Sequence, residues 1–132
     1  LIVRGACALK PGVRGLSENI RVRSIVSRFL ENSRIFYFRN DLAHDVYLSS
    51  ADWMNRNLFR RIEVAFPVLN KSLKNRVIEE GLNLYLKDNA DAWELEPSGL
   101  YQKRKSRSKQ SAFSAQQYLM RTLGSHTSDT GE

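Results

Sequence analysis

The apolar residues change their period along the chain, and that change constrains the fold more than any other feature. From Arg61 to Phe66 they alternate, as on a half-buried strand, and Pro67 stops the run. From Asn70 to about Lys87, residues Leu73, Val77, Leu82, Leu84 and Tyr85 return at helical spacing, with Asn70 placed as the cap. Arg34 to Arg39 reads Arg-Ile-Phe-Tyr-Phe-Arg, a strand, and Asp45 to Leu48 starts a second one across the turn Asn40–His44, so the two predict a hairpin. Leu1 to Leu9 is apolar around a single Arg4 and predicts a buried strand, followed by a Pro- and Gly-marked loop from Lys10 to Gly15. Ile20, Val22, Ile25, Val26, Phe29 and Leu30 predict an amphipathic helix over about residues 18–31, with Ser17 as its cap. Trp53 to Leu58 reads as a short helical or irregular stretch, Ala92 to Leu95 as a short strand, and Ala112 to Leu123 as a last helix. Strands and helices thus alternate over one core, which predicts an α/β sandwich.

Length and composition narrow the class. The 132 residues are one domain's worth, and a hydrophobic share of 42% argues against wholesale disorder. Cys7 is the single cysteine, so no internal disulfide forms, in keeping with a reducing compartment. No apolar run approaches the roughly 20 residues of a membrane span. No basic segment precedes Leu1-Ile2-Val3, so no signal peptide is read there, and a start at Leu inside an apolar run predicts a piece of a longer protein. Charge is uneven. Residues 1–61 hold 11 basic and 5 acidic side chains, net +6, while 62–132 are net +1. Ten of those 11 are arginines, whose rigid fork suits phosphate and carboxylate. The N-terminal half therefore has the composition of an anion-handling surface or of a solvated basic face.

Standard catalytic motifs are mostly missing. The sequence has no GxxxxGK[ST], GxGxxG or GxSxG string, and two histidines with one cysteine make no metal cluster. His44 in the hairpin turn and His126 in the tail read as surface residues, and Cys7 as an apolar filler. Several arginines and small polar residues remain at strand ends. Arg4, inside an apolar strand, needs a partner: an internal salt bridge to Glu63 or Asp52, or a bound anion. Ser49, Ser50 and Asp52 follow a strand, where α/β folds place ligands, although a plain turn also explains them. Arg60-Arg61 opens the next strand, and alternation turns one of the pair inward. Lys103 to Lys109 holds five basic residues in seven and reads as a solvated loop.

Three stretches carry a resemblance. Leu1-Ile2-Val3-Arg4-Gly5, the block Leu16-Ser17-Glu18-Asn19-Ile20-Arg21-Val22-Arg23-Ser24-Ile25-Val26, and the string Val46-Tyr47-Leu48-Ser49-Ser50-Ala51-Asp52-Trp53-Met54-Asn55-Arg56-Asn57-Leu58 followed by Arg61-Ile62-Glu63-Val64 resemble the last domain of bacterial polyphosphate kinases. The match spans about residues 1–123, including the basic loop at 103–109, with 124–132 as a flexible tail. The resemblance implies a phospholipase D-like fold, an α/β sandwich with a mixed β-sheet flanked by helices. It implies the second of two such domains, a tunnel shared with the preceding domain, and a phosphohistidine there that passes the γ-phosphoryl group of ATP reversibly to polyphosphate. Mg²⁺ is implied, with ligands outside this stretch. So are ATP/ADP and polyphosphate as substrates, a homo-oligomer, no nucleic-acid partner and a cytoplasmic setting, with peripheral inner-membrane association as a second option.

The resemblance also assigns residues. Arg4 and Arg61 match arginines that bind the phosphates of ATP or polyphosphate. Asn32-Ser33-Arg34 falls where the family has His-x-Arg, and Ser49, Ser50, Asp52 and Asn57 match the small polar loop that follows. Asn32 replaces the family histidine. An amide cannot shuttle a proton or carry positive charge near neutral pH, which implies a slowed or inactive enzyme. Arg39 stands where a phospholipase D motif has Asp. The alternatives are therefore an inactive copy that binds polyphosphate or nucleotide without catalysis, and a phospholipase D-like hydrolase, which the absent His-x-Lys pair disfavours.

Overall fold

The structure is a computed structural model that describes residues 1–41, 43–104 and 111–125. In chain order its elements are β1 Arg23–Ile25, β2 Ile35–Asn40, β3 Ala43–Ser49, α1 Asn55–Arg60, β4 Ala65–Pro67, α2 Lys71–Ile78, a π-helical turn Glu79–Asn83, α3 Leu84–Lys87, β5 Ala92–Leu95, β6 Tyr101–Lys103 and α4 Ala115–Gly124. The α/β class holds, but in place of one mixed sheet the described residues form two antiparallel three-stranded sheets. The chain divides into two compact units, one from Leu1–Glu31 with Leu84–Glu132, the other from Asn32–Asn83.

The first unit is built on the antiparallel sheet β1-β5-β6, with Ser24 opposite Trp93 and Glu94 opposite Gln102. The expected strand over residues 1–9 shrinks to an isolated parallel bridge between Ile2 and Arg23, fixed by Val3 N–H to the Arg23 carbonyl at 2.8 Å. Beyond it Gly5 takes φ 114°, which leads the chain off the sheet, and Arg4 is exposed rather than buried in a strand. The expected helix over 18–31 does not form. Ser17 is not a helix cap: its hydroxyl accepts from Val13 N–H at 3.0 Å and donates to the Lys10 carbonyl at 2.5 Å, closing a turn. Val22 and Ile25 are buried, but from β1 and the residue before it, because pairing with β5 captures their backbone. The β-branched composition of 20–26 favours that outcome.

Val22, Ile25, Leu84, Ala92 and Ala115 form this unit's apolar core. Asp88 is fully buried within it and accepts from Ala90, Asp91 and Ala115 N–H groups at 3.0, 2.8 and 2.8 Å. Those bonds tie the end of α3 to the first residue of α4, whose N-cap is Ser114, two residues inside the expected span. Tyr85 donates to Glu31 at 2.8 Å, and burial first, then that carboxylate, pushes its phenol well above the usual range.

The second unit is the antiparallel sheet β2-β3-β4 with α1, α2 and the π-helical turn. The expected hairpin is present: Tyr37 pairs with Val46 and Asn40 with Ala43, and Asp41 takes φ 53° at its tip. The strand expected over 61–66 is shorter and later, Ala65–Pro67, and Pro67 lies inside it at the sheet edge, where no ladder N–H is needed. With 61–64 outside the ladder, neither Arg60 nor Arg61 turns inward; both are exposed. Asn70 caps α2 as expected, accepting from Leu73 N–H at 3.1 Å. The helical run to Lys87 is interrupted by the π-helical turn around Gly81, whose missing side chain leaves room for Ile35 of β2. Of the basic stretch 103–109, Lys103 ends β6 and Arg104 follows it; 105–109, and the tail from 126, lie outside the described residues.

Candidate functional site

The loop after β3 is shaped by its own hydroxyls. Ser49 N–H donates to the Arg34 carbonyl at 3.0 Å, which ties the loop to the start of β2, and Ser49 Oγ accepts from Ala51 N–H at 3.0 Å. Ser50 is bound twice to Val64: its N–H donates to the Val64 carbonyl, and its Oγ accepts from Val64 N–H, each at 3.0 Å. The Ser50 hydroxyl in turn donates to Glu63 Oε2, and Asn57 Nδ2 donates to Glu63 Oε1 at 2.7 Å. One carboxylate thus staples the loop, α1 and the chain leading into β4. Asn57 is buried, and its Oδ1 has no hydrogen-bond partner among the described residues.

Arg34 is held by Asp52, Nε to Oδ1 at 2.7 Å. That leaves its two terminal NH₂ groups without a hydrogen bond among the described residues. The bond from Arg34 holds the Asp52 carboxyl below the usual range, helped by the charges of Arg34, Arg56 and Arg61. Glu63 is lowered as well, first by Ser50 and Asn57, then by Arg61 and Arg34. Three guanidiniums therefore surround two carboxylates. Arg61, at the C-terminal end of α1, is exposed and makes no hydrogen bond or ion pair among the described residues.

Of the residues singled out from sequence, Arg34, Ser49, Ser50, Asp52 and Asn57 come together, with Arg61 contributing its charge. Asn32 is exposed at the head of this unit, ahead of β2, with no hydrogen bond among the described residues. Arg4 belongs to the other unit, where it is exposed and has no hydrogen-bond or ion-pair partner among the described residues. Asp52 is taken by Arg34. Glu63 is the member that sequence reasoning missed as an organising residue; its place two residues after Arg61 in an alternating run is the signal that was available. His44 is occupied within the hairpin, its Nδ1 2.5 Å from the Tyr37 hydroxyl.

The residues present do not fit a Mg²⁺ site. Among the described residues no three His, Cys, Asp or Glu side chains converge, and the two carboxylates of the loop are engaged by Arg34, Ser50 and Asn57. No helix among the described residues is long and apolar enough to cross a membrane.

The α/β chain thus gathers arginines and carboxylates in the loop behind a strand. Its relatives identify the family. Residues 1–116 match the family model described as polyphosphate kinase C-terminal domain 2. Over 106 residues the chain is 65% identical to polyphosphate kinase of Burkholderia lata and of Burkholderia multivorans, covering 80% of this chain and 15% of each of those proteins. The crystal structure of polyphosphate kinase from Porphyromonas gingivalis superposes with a TM-score of 0.87 at 40% identity, over 98% of this chain and 19% of that one. The chain belongs to the polyphosphate kinase family, matching its C-terminal domain 2, with the phospholipase D-like α/β fold. It spans about 15% of the length of these curated relatives.

Proposed function

We propose that this chain is the part of a polyphosphate kinase that supplies fixed arginine charges to reversible phosphoryl transfer between ATP and polyphosphate. The observation that carries the reading is the loop network: Arg34 is anchored through Nε by Asp52, and Arg61 adds its charge beside Asp52 with no hydrogen bond or ion pair among the described residues. In phosphoryl transfer a protein contributes chiefly position and electrostatic stabilisation. Arg61, the outer NH₂ groups of Arg34 and the exposed Arg4 are donors for phosphate oxygens. Ser50, Asn57 and Glu63 hold the loop so that those charges need not reorganise during the reaction.

The bond broken is the one between the γ-phosphorus and its bridging oxygen, with ADP leaving. The phosphoryl group passes to a histidine nitrogen on the preceding domain of the same polypeptide and then to the terminal oxygen of polyphosphate. The residues of this chain act on charge, not on protons, since Asn32 can donate and accept hydrogen bonds but cannot shuttle a proton. Residues 1–123 act as the domain, in a homo-oligomer set in the cytoplasm. Mg²⁺ belongs to the complete enzyme, and no step here runs through it. Asn32 favours a second reading, a copy that binds polyphosphate or nucleotide without turning over.

The test is polyphosphate formation from ATP by the longer polypeptide carrying this chain, beside its Asn32→His variant. General acid–base help is worth about 10²–10⁴-fold, so a gain of that size marks a kinase slowed at one residue. Equal rates leave the chemistry to the arginines and the other domain. No polymer from either supports the binding-only copy.

A further inference from the structure

A cavity of about 380 Å³ lies in the first unit and is lined by Ser27, Arg28, Gln116, Gln117, Met120 and Arg121, none of them a residue of the loop network. Its volume falls in the range of small-ligand sites. Its lining is unusual for this molecule. No carboxylate contributes, and the side chains of Ser27, Arg28, Gln117 and Arg121 have no hydrogen-bond or ion-pair partner among the described residues. By contrast Arg23, Arg34, Arg76 and Arg104 are each paired with an acid.

The two arginines do not meet by accident of a loose surface. Gln116, buried at the start of α4, grips the backbone of Phe29 from both sides: its Oε1 accepts from Phe29 N–H at 2.9 Å and its Nε2 donates to the Phe29 carbonyl at 2.9 Å. The same Nε2 donates to Glu31 at 2.6 Å, which the Tyr85 hydroxyl also binds. Segment 27–31 is therefore fixed against α4. Gln117 and Arg121 are four residues apart and share one face of that helix. Arg28 is steadied over the Phe29 ring, 5.5 Å from its centroid. The position of Arg121 in the last turn of α4 is favoured by the helix dipole, but nothing of that kind accounts for Arg28. Two like charges held on one cavity repel each other unless an anion joins them.

We propose that Arg28, Gln117 and Arg121, with the Ser27 hydroxyl, form a second oxyanion site that takes consecutive phosphates of a polyphosphate chain. Guanidiniums and neutral N–H and O–H donors suit the bare oxygens of a phosphate run, and a cavity without acids does not repel them. The site does not depend on the loop network, but the choice of polyphosphate as the phosphate source rests on the function proposed above.

The 132-residue chain, titrated with sodium tripolyphosphate and followed through its backbone amides, tests the assignment. The amides of 27–29 and 116–121 are expected to shift saturably. Arg28→Gln/Arg121→Gln is expected to abolish those shifts and weaken binding there by about tenfold or more at low salt, while the slope of log affinity against log salt falls by about 1.4, at about 0.7 per charge as for single-stranded polyanions. Both side chains are exposed, so the remaining amides stay in place and show that the variant is folded. Arg28→Lys/Arg121→Lys keeps the charge without the fork and is expected to bind between the two. Repeating the titration in an Arg4→Ala/Arg61→Ala background separates this site from the function proposed above: shifts at 27–29 and 116–121 that persist there support it whatever becomes of the other arginines, and their loss overturns it. Absence of these shifts in the unsubstituted chain overturns the site outright. Orthophosphate or ATP binding as tightly as tripolyphosphate overturns the polymer assignment, and single-stranded DNA shifting the same amides at lower concentration overturns it in favour of nucleic acid.

Discussion

The two units of the molecule are held together by different physics. The first buries Val22, Ile25, Leu84, Ala92 and Ala115, and satisfies its buried Asp88 and Gln116 with backbone partners. In the second, Val46 and Ala51 are the buried apolar side chains among the described residues, while Trp53, Phe59 and Ile62 stand largely in solvent. Its order at the loop comes from hydrogen bonds and ion pairs around Glu63 and Asp52. A packed core resists change in most conditions, whereas a charge network responds to pH and salt. The unit that gathers the arginine-bearing loop is therefore the one whose geometry is set electrostatically.

The sharpest way to break the contrast is to open the first unit's core. Asp88→Ala removes the acceptor of three N–H groups, of which that of Ala115 is buried, and should cost about 1–3 kcal/mol for the buried group left unsatisfied. Urea unfolding reads it, and a loss under about 1 kcal/mol would place the stability of that unit elsewhere. In the second unit the comparable steric test is Gly81→Ala. A methyl group there runs into Cδ1 of Ile35, the end of that side chain, so the expected cost is that of turning it off its rotamer, about 0.5–1.5 kcal/mol; Gly81→Ala together with Ile35→Val should recover part of it. Ile62→Ser, at a side chain fully in solvent, should change stability by no more than about 0.5 kcal/mol.

The smallest effect is the acid response of the loop. Asp52 and Glu63 are both held below their ordinary values, so the unfolded chain binds their protons first. Their contribution is complete above the ordinary carboxylate range, near pH 4, and is lost as pH falls through the lower folded values. Amide shifts of residues 49–64 followed from pH 6 to pH 2 should show that acid transition, and Asp52→Asn with Glu63→Gln should remove it. A transition centred above pH 5 would contradict the network.

What could be read from the sequence was mostly local. The hairpin, the Asn70 cap, β5 and α4 follow from neighbours a few residues apart. The helix expected over 18–31 failed because Val22 and Ile25 answer to β5, some seventy residues on, and because the β-branched residues of 20–26 favour a strand where such a partner is present. The strand expected around Arg4 failed for a related reason: three residues reach β1 before Gly5 turns the chain away. At the site, Ser49, Ser50, Asp52 and Asn57 were legible through their motif. The organising role of Glu63 was not, because its partners Ser50 and Asn57 lie 13 and 6 residues away and meet it only once β3 and α1 are in place.

The central claim is that fixed arginine charge beside this loop serves phosphoryl transfer. The most direct measurement is the rate of polyphosphate formation from ATP by the longer polypeptide carrying this chain, in Asn32→His form so that turnover is measurable, with and without Arg61→Ala. Removing one pre-positioned donor to a developing oxyanion should slow the reaction by about 10²–10³-fold, with the amide spectrum of residues 49–64 otherwise retained. An unchanged rate in the folded Arg61→Ala protein would contradict the account.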